Sequence, residues 1–498
     1  MKKGIHILCL LGGVLLFGTC AFGSTLEDRV NALEEMVRKQ SQTIKEQQEV
    51  INKLLPQEEP QTKVEEKVAE ETKPAEESGT KPDVSELTAQ PLPSTAVAAR
   101  PDLWSRQIGG SKLRLIDISL DALFAAGSSS ATNEQLQDLE GGDHDPRWRG
   151  FTVQNVELSL SGAVDPYFTG ESHIVFFIDP STGDTQVELE EAFLTTQSLP
   201  YGLQTKAGYF FTEFGRINPL HPHQWHWLDQ PVINTRLFGP DGMRQAGARL
   251  SWLTPLPWYS ELLFGIQNAN GETMASFLAN QEFFEERPIG GRPFTDQSVK
   301  SLKDLVYLAR FENFWDISES VTARLGFSGL YGPNATGPDV DTWIYGTDLV
   351  VKWRPPLNER GWPFLVWESE LMQRDYQAAA FLGPNPDNPE EILDLPAQTL
   401  IDWGFYTQLL YGFHPGWATG LRYEYASGRG QSVGGSSNDP FRDNRLRLSP
   451  LLVWHPSEFS RLRLQFNYDH AQHLEHKDAY SAWLGVEFLY GAHAAHKY

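Results

Sequence analysis

The stretch Arg461-Leu462-Arg463-Leu464-Gln465-Phe466-Asn467-Tyr468-Asp469 carries the clearest structural signal in this chain. Leu462, Leu464, Phe466 and Tyr468 fall on one face, and Arg461, Arg463, Gln465, Asn467 and Asp469 fall on the other. A repeat of two belongs to a β-strand, whose successive side chains point to opposite sides. Leu421, Tyr423 and Tyr425 alternate with Arg422, Glu424 and Ala426 in the same manner.

A soluble sandwich alternates too, so the pattern alone does not choose. Three further features do. The strand candidates are long, about ten residues or more, which suits a tilted crossing of a hydrocarbon layer. Trp252, Trp258, Trp343, Trp353, Trp417, Trp454 and Trp483 stand near strand ends, where aromatic girdles meet the membrane surface. The connections alternate short and long. Short ones include Asp165-Pro166, Leu199-Pro200-Tyr201-Gly202, His414-Pro415-Gly416 and His455-Pro456-Ser457, while long ones run from 126 to 150, 215 to 242, 270 to 303 and 375 to 398. Strand starts can be placed from Lys112 to Tyr480, and they number about sixteen. The expected fold is all-β, a transmembrane antiparallel barrel over residues 103–498, wide enough to leave an aqueous lumen.

The N-terminal region reads differently. Lys2 and Lys3, the apolar run from Ile5 to Phe17 and the small residues of Ala21-Phe22-Gly23 make residues 1–23 a secretory signal peptide. Thr19 is a poor residue before a lipidated Cys20, which disfavours a lipoprotein. Cys9 and Cys20 are the only cysteines, so cleavage after Gly23 leaves a mature chain without disulfides. In residues 24–55, Leu26, Val30, Leu33, Val37, Ile44, Ile51 and Leu54 occupy heptad core sites, with Gln40 and Gln47 between them, as in an oligomeric coiled coil. Residues 56–102 are rich in Pro, Glu, Lys and Thr and cannot bury enough surface to order; they read as a linker. An even strand count puts the coiled coil on the periplasmic side, within reach of peptidoglycan.

Charge narrows the partners. The 12 Lys and Arg and 16 Asp and Glu before residue 101 leave 29 and 49 after it, so the barrel is acidic. A dedicated anion channel is disfavoured, a weak cation preference is expected, and no nucleic-acid partner is. Catalysis is not expected: the Gly-x-Ser-x-Gly match at Gly430-Gln431-Ser432-Val433-Gly434 sits in a Gly/Ser-rich connection rather than on a strand-to-helix turn, and no His-Glu-x-x-His helix is present.

The long connection from 215 to 242, the third on the outer side, holds the sharpest local chemistry. Leu220-His221-Pro222-His223-Gln224-Trp225-His226-Trp227-Leu228-Asp229 brings three imidazoles and a carboxylate close together. His221, His223, His226 and Asp229 are a donor set suited to zinc or another divalent metal, the one cofactor this sequence suggests. Lesser histidine groups stand at His470, His473 and His476 and at His493 and His496. In the same connection Arg216, Asp229, Arg236 and Asp241 are the candidate charges of a pore constriction.

Gly208-Tyr209-Phe210-Phe211-Thr212-Glu213-Phe214-Gly215-Arg216-Ile217-Asn218, Pro219-Leu220-His221-Pro222-His223 and Phe238-Gly239-Pro240-Asp241-Gly242 resemble a group of outer-membrane proteins described as zinc-regulated receptors. More widely, the chain after Leu103 resembles porins of the phosphate-selective (O/P) type. That resemblance implies a homotrimeric, sixteen-stranded channel in the outer-membrane lipid, passing small solutes, with a link to zinc supply. The plug of an energy-coupled receptor and the basic ladder of a phosphate channel are not recognisable here. Four roles follow: a passive channel, a metal-linked or ligand-specific receptor, an enzyme, which the lack of a catalytic motif in its proper setting disfavours, and a tether engaging peptidoglycan through the N-terminal region.

Overall fold

The computed structural model describes residues 105–108, 111–114, 116–139, 141–385, 390–433, 435 and 438–491. The expected signal peptide, coiled coil and linker, like His493, His496 and the terminal Tyr498, lie outside the described residues.

Sixteen strands close on themselves: β1 Asp117–Ser129, β2 Gly150–Ala163, β3 Phe168–Ile178, β4 Thr185–Thr196, β5 Leu203–Phe211, β6 Arg244–Leu253, β7 Tyr259–Asn268 and β8 Leu305–Ser318. They continue as β9 Val321–Pro333, β10 Asp341–Trp353, β11 Phe364–Ala378, β12 Gln398–His414, β13 Trp417–Arg429, β14 Arg445–Ser457, β15 Ser460–Ala471 and β16 Asp478–Gly491. Each pairs antiparallel with its sequence neighbours, and β16 closes the barrel on β1 from Ser481↔Ser129 to Gly491↔Ser119. Closure removes both sheet edges, leaving no ladder unpaired against lipid.

The alternation runs inside out. On β15, Arg463 and Gln465 are fully buried, while Leu464 and Phe466 are 37% and 48% exposed. On β13, Arg422 and Glu424 are buried beside an exposed Leu421. Water outside would select the opposite arrangement, so the apolar outer face calls for lipid. Trp417 stacks on Trp454 near one rim, at 5.7 Å between ring centroids, and Tyr331 meets Trp343 near the other at 4.4 Å. Short turns such as Glu319–Ser320, Pro415–Gly416 and Glu458–Phe459 gather at one end, and the long loops at the other.

Four expectations need correction. The first strand starts at Asp117, because Ser111–Arg114 pairs instead with Ser105–Ile108 in a separate hairpin. His455-Pro456-Ser457 belongs to β14, so its turn comes two residues later. Trp483 is not a girdle residue; it faces inward and packs in a buried cluster with Leu123, Leu228 and Leu474. Nor is the lumen simply aqueous. Phe214, Trp225, Ile233, Leu237 and Phe238 from the third loop and Met274, Phe277 and Leu278 from the fourth form one core with wall residues Leu308, Ile344 and Tyr406.

Candidate functional site

Residues 212–243, between β5 and β6, form the loop that enters the barrel, and nearly all of it is buried. A non-helical segment in such a place must find partners for its own peptide groups. The wall supplies them. Arg461 donates to the carbonyls of Trp225 and His223 at 3.0 and 2.8 Å, and Arg463 to those of Trp225 and Trp227 at 3.1 and 2.8 Å. Both arginines also reach Glu487 Oε2, each at 2.5 Å. The β14–β15 ladder skips Ser449 and Pro450, and the Trp227 indole donates to the Ser449 carbonyl that is left over, at 2.9 Å. Leu228 N donates to Gln465, and Val232 N to Glu424. Helix α1, Val232–Phe238, is buried at every position and ends at Gly239, whose φ is 85°. Gly215 is required where the loop leaves β5. Its φ is 63°, and a Cβ there would overlap the Glu370 carboxylate.

The four candidate constriction charges are spread through this arrangement. Arg216 pairs with Glu368 on β11 at 3.2 Å and lines a cavity of about 440 Å³ with Glu312, Arg324 and Lys352 at the short-turn end. Asp229 pairs with Arg422 and, at 3.4 Å, with Arg447, and accepts from Gln465 at 2.8 Å and Asn467 at 3.2 Å. Burial opposes its charge, but Arg422 and Arg447 outweigh burial and hold its pKa below the ordinary carboxylate value. Arg236 pairs with Asp443 at 3.3 Å, fully buried. Asp241 pairs with Arg244 and contacts His144 at 3.2 Å, and it lines a cavity of about 290 Å³ on the long-loop side with Asp143, Glu188 and Glu272. Burial, then Asp143 and Glu190, push its pKa well up. Arg216 and Asp241 thus face open space, whereas Asp229 and Arg236 tie the loop to the barrel.

Of the four expected metal ligands the structure brings His221 and His223 together and sets His226 and Asp229 apart from them. His221 and His223 face Glu157 of β2 at 3.3 and 3.2 Å, and His221 also meets Glu190 and Glu191 of β4 at 2.8 and 2.9 Å. Asp229 lies among the arginines, and His226 contacts Glu368 at 3.8 Å. Burial, together with Arg216, Arg461 and Lys352 against the single Glu368, lowers the His226 pKa to about 4. Because the folded value lies below the ordinary one, His226 favours the packed loop above about pH 6.5, and that contribution falls away as the pH drops toward 4. Hydrogen exchange in residues 216–240 should therefore rise over that window in the wild type relative to His226→Asn; parallel pH profiles would refute this.

Sequence reasoning missed Glu157, His173, Glu190 and Glu191, although Glu190-Glu191 breaks an otherwise regular alternation from Val187 to Leu194. It also missed the convergence of Arg422, Arg445, Arg447, Arg461 and Arg463, which all lie buried on the inner face of β13–β15. Below the loop, a cavity of about 380 Å³ is lined by Asp117, Glu171, Glu191, Glu213, Lys206 and His173, among others.

A closed barrel with an apolar exterior, a charged interior and a loop folded within it is a transmembrane β-barrel. No family model matches the chain. An uncharacterized protein of Aquifex aeolicus (strain VF5) is 29% identical over 410 residues, spanning 78% of this chain and 81% of that one. Among solved structures, the chain is similar to the outer membrane channel DcaP of Acinetobacter baumannii, with a TM-score of 0.46, 11% identity and coverage of 75% and 97% of the two chains. It is similar also to OprB of Pseudomonas putida, at 0.46, 10%, 75% and 94%. The anion-selective porin from Comamonas acidovorans gives 0.43, 9%, 75% and 100%.

Proposed function

We propose that this protein is a channel of the bacterial outer membrane that passes small hydrophilic solutes, narrowed by the loop 212–243 and weakly selective for cations. The observation that carries the reading is the closed barrel with a charged inner face and a loop fixed across its interior. The preference rests on two cavities along the β2–β6 side. Asp117, Glu171, Glu191 and Glu213 line the one at the short-turn end beside a single lysine, Lys206, and Asp143, Glu188, Asp241 and Glu272 line the one among the long loops, where Arg244 balances only part of their charge. A cation moving along that side meets fixed carboxylates on both sides of the loop, and an anion meets repulsion. The basic cavity of Arg216, Arg324 and Lys352 across the lumen keeps the preference weak.

The close packing of the loop favours a second reading, a ligand-gated receptor that is shut at rest. Planar-bilayer recording separates the two. Stepwise openings, with a reversal potential of cationic sign across a salt gradient, are expected. Anionic sign would overturn the preference, and a folded, heat-modifiable barrel without conductance would favour the gated receptor.

A further inference from the structure

Two β-bulges lie close together on the wall facing the loop. Between β1 and β2 the register shifts so that Leu123 pairs with Asn155 and Phe124 with Val153, which leaves Gln154 as the extra residue. Between β3 and β4, His173 pairs with Glu191 and Ile174 with Leu189, which leaves Glu190 as the extra residue. A bulge interrupts strict alternation, so two consecutive side chains turn to the same face. Gln154 with Asn155, and Glu190 with Glu191, all point inward and are buried. His173 of β3 stands between these strands. The bulges thus gather carboxylates and an imidazole opposite His221 and His223, which a regular barrel wall would have spread along the lumen.

We propose that this cluster is a binding site for a divalent transition-metal ion, with Glu157, His173 and His221 as its inner ligands and Glu190 as the adjoining carboxylate. One donor atom from each of the three ligands lies within 4.8 Å of the others. His173 Nδ1 is 2.8 Å from Glu157 Oε1, and His221 Nδ1 is 3.3 Å from Glu157 Oε2. A tetrahedral ion with bonds near 2.1 Å holds its donors about 3.4 Å apart, so side-chain adjustment that brings donors already within 4.8 Å of one another to that spacing completes the site. The mixture of imidazole and carboxylate selects zinc and its neighbours over calcium or magnesium, which prefer oxygen ligands.

Charge and access point the same way. Glu157, Glu190 and Glu191 converge on one imidazole, His221, and a dication would balance carboxylates that the histidines otherwise balance only when protonated. His173, His221, His223 and Glu191 line the acid-walled cavity at the short-turn end, which gives an ion a route in. His144, Glu188 and Asp241 form a comparable grouping, but there Arg244 already pairs with both carboxylates and holds the positive charge that an ion would bring. Binding at the first cluster would join the loop, through His221, to β2 and β3. The inference requires the loop inside the barrel but not that the barrel conducts, so it stands or falls separately from the channel reading.

The test uses the full-length protein, folded in detergent, stripped with chelator and titrated with cobalt(II) and then zinc(II). The expected result is a visible d–d band of low-coordinate cobalt that zinc abolishes, with calorimetric binding of zinc. Glu157→Gln and His173→Asn should each weaken zinc binding at least about tenfold, with the heat-modifiable band on gels confirming that both variants fold. His470→Ala, at an exposed histidine near the rim, should leave binding unchanged. If a variant fails to fold, the zinc-dependent rise in the wild-type melting temperature and its loss in the other variant decide the matter. No cobalt band and no heat of binding in the wild type would overturn the proposal. So would binding that survives both ligand substitutions, or binding lost in His470→Ala.

Discussion

Replacing residues 216–240 with a short Gly-Ser link should raise unitary conductance several-fold and shift selectivity toward anions. The barrel has reason to survive the change. Its sixteen ladders do not pass through the loop, and the guanidinium groups of Arg461 and Arg463 can exchange the loop carbonyls for water once the lumen fills. The excision removes Trp225, Ile233, Leu237 and Phe238 from the inner core, and so the apolar material that narrows the passage. It also removes Arg216, Asp229 and Arg236 while uncovering the wall arginines Arg422, Arg447, Arg461 and Arg463. The exposed wall then carries more positive charge, and the field sensed by a permeating ion changes accordingly. Recording wild type and excision variant in the same lipid would decide it. Equal conductance would show that the loop does not limit flow, and an unchanged reversal potential would show that the arginine wall does not face the solute path.

The barrel was legible because the period-two alternation survives wherever strands pair regularly. Arg461 to Asp469 shows why: each polar residue there found a partner inside, and Leu464 and Phe466 faced out. The expected count of about sixteen strands matches the sixteen that close the barrel, with one expected start misplaced. The exception, near Lys112, arose because the short strand Ser111–Arg114 has the same local pattern but pairs elsewhere. The loop was legible as a loop, with its histidines and charges, yet its path was not. Which imidazole meets which carboxylate depends on contacts between residues far apart in sequence, such as Arg422 with Asp229 and Arg463 with Trp227. The bulges hid the rest. A strictly alternating reading of β4 sends Glu190 and Glu191 to opposite faces, and only the shifted register at His173 turns both inward.

Among the polar ties holding the loop, loss of Glu487 should be the most damaging, and the reason lies in how each charge is shared. Arg461 and Arg463 both rest on one Glu487 oxygen, and all three side chains are buried. Glu487→Gln keeps an oxygen that can accept from them but removes the negative charge that both guanidiniums share. Breaking a buried pair in this way costs about 3–5 kcal/mol. Asp229→Asn is the informative contrast. Arg422 keeps Glu424 at 2.6 Å and Arg447 keeps Asp469 at 2.7 Å, so neither is stripped of a carboxylate. Its cost should stay nearer the about 1–3 kcal/mol of lost hydrogen bonds. Hydrogen exchange read at residues 223–228, whose carbonyls and amides the wall arginines and Gln465 hold, converts these energies into rates. Glu487→Gln should speed local opening by about a hundredfold or more, and Asp229→Asn by clearly less. Equal acceleration in the two variants would mean that the loop is held mainly by its apolar core, with the shared carboxylate contributing little.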